Sequence, residues 1–179
     1  MNRKYSAFTL VEMLIVMGIL IILMAVGITA GRFAINRAND VAHQNAADQI
    51  YTALQAYYTD NREYPDGTAM ADFGTGMATG GVLATYMGDG EFTGGTDATF
   101  YYWLGDLGQS VLVCVSKGGH GDETLRGFYC TGNGFGADAS GIETKDVAAN
   151  VDPNGTPGSQ TFLFEQNWDG TEKNWDAVI

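Results

Sequence analysis

Between residues 8 and 31 only Thr9, Glu12 and Thr29 interrupt an apolar run. At 1.5 Å per residue a helix of these roughly 24 positions extends about 36 Å, enough to cross a bilayer. Past Gly31 the pattern changes. From Arg32 to Asp60 there is neither proline nor glycine, and His43, Ala47, Ile50, Leu54 and Tyr57 recur at intervals of four and three, which marks one face of a helix. Asp40, Gln44, Asp48 and Gln55 fall on the polar side. Tyr64-Pro65-Asp66-Gly67 supplies the stop, because Pro65 disfavours a helical Tyr64 and Gly67 suits a turn. The two patterns join into one helix from about Phe8 to Asp60, roughly 80 Å long. Its first half is apolar throughout, and its second half is expected to lay its stripe on a sheet.

Strand patterns occupy the distal chain. Residues 100–104, 111–115, 126–130 and 161–165 are rich in β-branched and aromatic side chains and bounded by Gly, Asp or Asn, which predicts strands that pair antiparallel. Residues 66–99 read as an excursion of Gly, Ala, Thr and Asp, with a short helix near 82–86 and anchors at Met70, Phe73, Val82, Leu83, Tyr86, Met87 and Phe92. The fold class is therefore α+β. Four parts are expected: a leader over residues 1–7, a membrane-crossing half-helix over 8–31, an amphipathic half-helix over 32–61 and a head over 62–179.

Charge sharpens this division. The chain of 179 residues carries a formal net charge of −12, and residues 66–179 account for all of it, with 16 acidic against 4 basic side chains. Phosphate-backbone binding runs on clustered Lys and Arg, so nucleic acid is not an expected partner. Of the 25 glycines, 22 lie beyond Asp66, which makes the head rich in loops. One modest domain on a stalk fits the length. Arg3 and Lys4 before the apolar run and Arg32 and Arg37 after it balance, so basic residues do not by themselves orient the span.

Glu12 within the run costs roughly 2–3 kcal/mol on insertion scales if unpaired, a burden that a disposable secretory signal has no reason to carry. With the short basic leader before it and the apolar run behind it, Ala7-Phe8-Thr9-Leu10-Val11-Glu12 resembles the class III signal of type IV prepilins and type II secretion pseudopilins. The resemblance extends to about residue 66, since Tyr57-Tyr58 and Tyr64-Pro65 are similar to the end of the long pilin helix. It departs from the family at Ala7, where glycine is commoner, and at Thr29, where many members carry proline. It implies cleavage between Ala7 and Phe8 by a prepilin peptidase, N-methylation of Phe8, a pilin-like fold, and a precursor in the inner membrane that enters an extracellular or periplasmic filament. Implied partners are copies of the chain, other pilin-like subunits, an assembly ATPase and a polytopic platform protein. Glu12 is expected to neutralise the Phe8 amine of an adjacent subunit, which fixes register; the alternative is a carboxylate that merely faces the headgroups. The spacing of Gly27 and Gly31 permits close helix approach or local bending.

Other chemistry is sparse. Neither a nucleophile elbow, a phosphate-binding loop, a His-Glu-x-x-His nor a Cys-x-x-Cys is present, so no catalytic residue is assigned and an enzyme is not expected. His43 reads as a satisfied core side chain, and His120-Gly121-Asp122-Glu123 as a solvated turn. Cys114 and Cys130 are expected to form a disulfide worth about 3 kcal/mol, two buried thiols being the other reading. No cofactor is expected. Calcium is the one metal considered, for Asp152-Pro153-Asn154-Gly155 and the stretch from Asp169 to Asp176, which otherwise read as turns; the family's major pseudopilins hold calcium near the C-terminus, but no ligand motif matches residue by residue. A type IV pilus subunit is the first reading and a pseudopilin the second. A reading of another class, a membrane-anchored surface-binding module, would use Tyr101, Tyr102, Trp103, Trp168 and Trp175 as aromatic platforms and requires them exposed.

Overall fold

The computed structural model describes residues 9–66, 81–87, 92–105, 108–118, 126–136, 142, 144–147, 164–170 and 174–177. A single helix, α1, runs Leu10–Asn61, and the chain divides into two compact units, Met1–Ala38 and Asn39–Ile179. In the first unit the helix is apolar on every side over residues 10–31, apart from Glu12 and Thr29. In the second it buries His43, Ala46, Ala47, Ile50, Ala53 and Leu54, the expected stripe with two alanines added, while Tyr57 is only partly covered.

Six strands follow: β1 (Ala98–Gly105), β2 (Ser110–Ser116), β3 (Phe128–Gly132), β4 (Asp146–Val147), β5 (Phe164–Asp169) and β6 (Asn174–Ala177). They form one antiparallel sheet in the order β4-β3-β2-β1-β5-β6. Consecutive strands β1 to β4 meander outward to one edge, and the chain then returns to place β5 against the free side of β1, with Tyr101 opposite Glu165. The expected first two strands match β1 and β2 closely. The third begins at Phe128, two residues later than expected, because Gly127 takes a positive φ of 79° that lets its carbonyl accept from the Lys117 amide. The fourth lies three residues beyond the expected start. Residues 82–86 form turns in place of a helix, and Met70 and Phe73 lie outside the described residues.

Side chains alternate strictly across the sheet. Phe100 and Tyr102 of β1, Val111, Val113 and Val115 of β2, and Tyr129 of β3 join α1 in one core, together with Ala98, Leu83 and Trp168. Tyr101, Trp103, Leu112, Cys114, Phe128 and Cys130 face the other way and pack with Ile142 and Val147 in a second core. Both faces of β2 are covered, which explains why all seven of its residues are buried and why its sequence is apolar without alternation.

The helix ends where Arg62 adopts a positive φ of 65°, a left-handed turn that a non-glycine residue enters at a cost of about 1–2 kcal/mol. Contacts from the β1–β2 turn offset that cost. Gln109 donates through Nε2 to the Arg62 carbonyl at 3.2 Å and accepts from the Tyr58 hydroxyl at 2.7 Å. The Tyr64 amide donates to the Gly108 carbonyl, and the buried Tyr102 hydroxyl donates to the Pro65 carbonyl at 2.8 Å.

Candidate assembly site

At the start of α1 a short polar constellation sits against a long apolar surface. Thr9 precedes the first helical residue, so Glu12 is three places into the helix. The Thr9 amide and hydroxyl both donate to Glu12 Oε2, at 2.9 and 2.8 Å, and the Glu12 amide donates back to Thr9 Oγ1 at 3.3 Å. This is a reciprocal capping box, satisfying amides that a helix start otherwise leaves open. It was legible in the sequence as Thr-x-x-Glu ahead of an apolar run, and the reading of Glu12 as an intersubunit partner alone missed it. Both donors are neutral, so neither pairs the carboxylate with a positive charge. Oε1 takes no bond from the described residues. Ala7 and Phe8, the bond expected to be cut and the residue expected to be methylated, lie outside those residues.

C-terminal to this cap, Leu10, Leu14, Ile21 and Met24 are exposed, as is Phe33 beyond the apolar run. The most apolar 18-residue window of α1 has a mean hydropathy of 2.8 and none of it is buried, so this helix is long and apolar enough to cross a membrane. Apolar surface on this scale is not left to water; it is covered by lipid or by other protein. Within the run Thr29 donates its hydroxyl to the Val26 carbonyl at 2.9 Å, which satisfies it without a partner from outside. A methyl group placed at Gly18, Gly27 or Gly31 would meet nothing within 4 Å, so these positions are open to approach from another molecule.

In the head, Cys114 and Cys130 stand directly opposite each other on β2 and β3 and are joined as a disulfide, with their Cα atoms 4.0 Å apart. Both are fully buried. His43 is buried as expected, its Nε2 3.1 Å from both the carbonyl and the hydroxyl oxygen of Thr96. Burial holds its pKa below the usual 6.5, against the pull of Thr96 and Asp40. Tyr101, Tyr102, Trp103 and Trp168 are all buried, so four of the five aromatics offered as a binding platform are core side chains; the side chain of Trp175 lies outside the described residues. The reason is the two-sided burial of the sheet, which consumes odd and even positions alike.

An open groove of about 580 Å³ runs beside α1, lined by Asn45, Asp48, Gln49, Thr52, Ala53, Tyr86 and Met87. Among the described lining residues the one carboxylate, on Asp48, accepts from the Tyr129 hydroxyl at 3.3 Å. Among the described residues no group of three or more His, Cys, Asp and Glu side chains could hold a metal. The loops at Asp152-Pro153-Asn154-Gly155 and at His120-Gly121-Asp122-Glu123 fall outside those residues. Part of the stretch from Asp169 to Asp176 is not a loop, since Asn174–Ala177 is strand β6, with Asn167 opposite Asp176.

Compared with known proteins, residues 2–28 match the family described as the prokaryotic N-terminal methylation motif, the class III prepilin signal of type IV pilins and pseudopilins. Neither a curated protein nor a solved structure matches the chain.

Proposed function

We propose that this chain is a structural subunit of a type IV pilus-like filament, made as a membrane-anchored precursor and polymerised through its apolar helix. The single observation that carries the reading is the methylation motif at residues 2–28 laid on a helix whose most apolar window is wholly exposed. Hydrolysis of the Ala7–Phe8 bond by a prepilin peptidase frees the Phe8 amine, and transfer of a methyl group to that nitrogen completes the mature end. The helix then leaves the bilayer, driven by an assembly ATPase and a platform membrane protein, and enters a bundle of identical helices. Burial there replaces lipid with protein at close range, which suits the open Gly18, Gly27 and Gly31 positions.

Glu12 supplies the register. Its Oε2 is held by Thr9, and Oε1 accepts the Phe8 amine of the adjacent subunit, because an amine buried unpaired among apolar helices is expensive. No reaction is carried out by the subunit, and no cofactor enters the reading. The head is acidic and glycine-rich in sequence. Several carboxylates per head also disfavour DNA as its ligand.

Intact mass and N-terminal sequencing test this on protein recovered from sheared surface filaments and, separately, from membranes. A chain that begins at methylated Phe8 and is abundant in the sheared fraction is the expected result. Processed chain confined to membranes would point instead to a secretion pseudopilin or a rare minor subunit, and an uncleaved chain starting at Met1 would overturn the family reading.

A further inference from the structure

We propose that His43, with Asp40 and Arg126, forms an acid-sensitive latch that pins the segment leading into β1 against α1. The ring is almost wholly buried and sits one turn after Asp40. A carbonyl can only accept, so the neutral ring carries its proton on Nε2 and donates to Thr96. Nδ1 is then left as an acceptor, and among the described residues it is buried with no donor to it, the main chain of Ser116 lying close by. The backbone closes directly over this contact. Gly95 has a positive φ of 87°, and a methyl group there would lie 3.0 Å from Ala42 Cβ and 3.1 Å from His43 Cδ2, so only glycine lets the segment come this near.

Asp40 holds the other side of the latch. Its Oδ2 accepts from Arg126 Nη2 at 2.5 Å, which ties the approach to β3 to the same turn of α1, while its Oδ1 is buried and, among the described residues, unpartnered. Among the described residues these two are the charged groups that bear on the imidazole, one from its own helix and one from the residues before β3. The segment before β1 and strand β2 face it with Gly95, Thr96 and Ser116, which are uncharged, although the main chains of Thr96 and Ser116 favour a protonated ring. Asp40 draws a proton toward the ring and Arg126 repels it. Arg126 offsets only part of the pull of Asp40, and withdrawal from water, the largest effect, outweighs that pull and those of Thr96 and Ser116, which favours the neutral ring.

The sign follows. Protonation is easier in the open or unfolded chain, near pH 6.5, than in the closed latch. The latch is therefore at full strength above about pH 6.5 and weakens as pH falls toward the lower value of the closed state. One proton taken up on opening changes the opening equilibrium by up to about tenfold per pH unit. What opens is specific. The segment carries Phe92, whose ring packs edge-on against Trp168 at 5.0 Å, and Asp97, whose carboxylate accepts from the Gly170 amide. Release uncovers the end of the β1–β5 pair.

The full chain in detergent micelles provides the test. Imidazole NMR titration, assigned by comparison with His43→Gln, should place the His43 midpoint below 6.5. A midpoint at or above 6.5 would mean that Asp40 Oδ1 accepts the new Nδ1 proton and closes the latch further, which overturns the proposal. Hydrogen exchange at residues 92–97, corrected for intrinsic rates, should lose protection between pH 6.5 and 5 in the wild type and stay level in His43→Gln. Equal slopes in the two proteins would also overturn it. Should His43→Gln fail to fold, Arg126→Gln replaces it: freed of its partner, Asp40 should raise the His43 midpoint, and an unmoved midpoint would remove the cluster from the account.

Discussion

Replacing Glu12 by glutamine separates two roles that the capping box combines. A carboxamide oxygen can still take the two Thr9 bonds now made to Oε2 at 2.9 and 2.8 Å, so the cap survives. What is lost at the helix start is the interaction of the charge with the helix dipole, about 0.3–1 kcal/mol. On the proposed pairing of Glu12 with the Phe8 amine, the assembled state loses more. Removing one partner of a buried ion pair leaves the Phe8 amine uncompensated, which costs about 3–5 kcal/mol, and at about 1.4 kcal/mol per tenfold this lowers filament incorporation more than a hundredfold. Thr9→Val is the complementary change: it deletes the hydroxyl, costs about 0.5–2 kcal/mol of helix capping, and leaves the charge in place. The assay is the ratio of sheared-filament to membrane-retained subunit by quantitative immunoblot, with circular dichroism in micelles as the check on the helix. Glu12→Gln should be helical and retained in membranes, and Thr9→Val should be incorporated at reduced yield. Normal filament yield from Glu12→Gln would refute the charge-pairing argument.

Further outcomes follow from the head. Cys114→Ala with Cys130→Ala opens a loop with a sequence separation of 16 and should lower the unfolding free energy by about 3 kcal/mol in urea, followed by tryptophan fluorescence; a loss below about 1 kcal/mol would show that the flanking β2–β3 pairing already restrains the loop. Burial first, then the neighbouring Tyr51 and Tyr58, pushes the Tyr64 hydroxyl up to about 12 from 10, so its contribution is complete below pH 10 and is lost as pH rises through 12. Tyr64→Phe should therefore flatten part of the alkaline loss of stability, and an unchanged alkaline limb would contradict this. Addition of a chelator should leave the thermal melting curve of the full chain where it was; a clear drop would instate calcium in the acidic loops.

Local patterns carried much of this protein. The apolar run, the 4-3 stripe through His43, Ile50 and Leu54, and the β-branched segments of β1 and β2 each reflect a period that a helix or strand imposes on neighbouring residues, so they were readable one segment at a time. The same holds for the Thr9–Glu12 cap, whose partners are three residues apart. Tertiary structure decided what depends on distant partners. Trp103 and Tyr101 look the same in sequence whether they bind a ligand or fill a core, and only the second cluster, with Ile142 and Val147 covering the far face of the sheet, makes them interior. Strand β6 escaped notice because Asn174-Trp175-Asp176-Ala177 has weak strand propensity, and it exists by pairing with β5. Arg62 ends the helix in a conformation that its own side chain disfavours, because Gln109, 47 residues on, bonds its carbonyl. The position of His43 on a helix face was determined by spacing, but the burial of its Nδ1 was set by Gly95 and Thr96, whose approach depends on where the sheet carries the chain. Periodicity is a property of consecutive residues, whereas burial and hydrogen-bond satisfaction belong to pairs that the folded topology alone brings together.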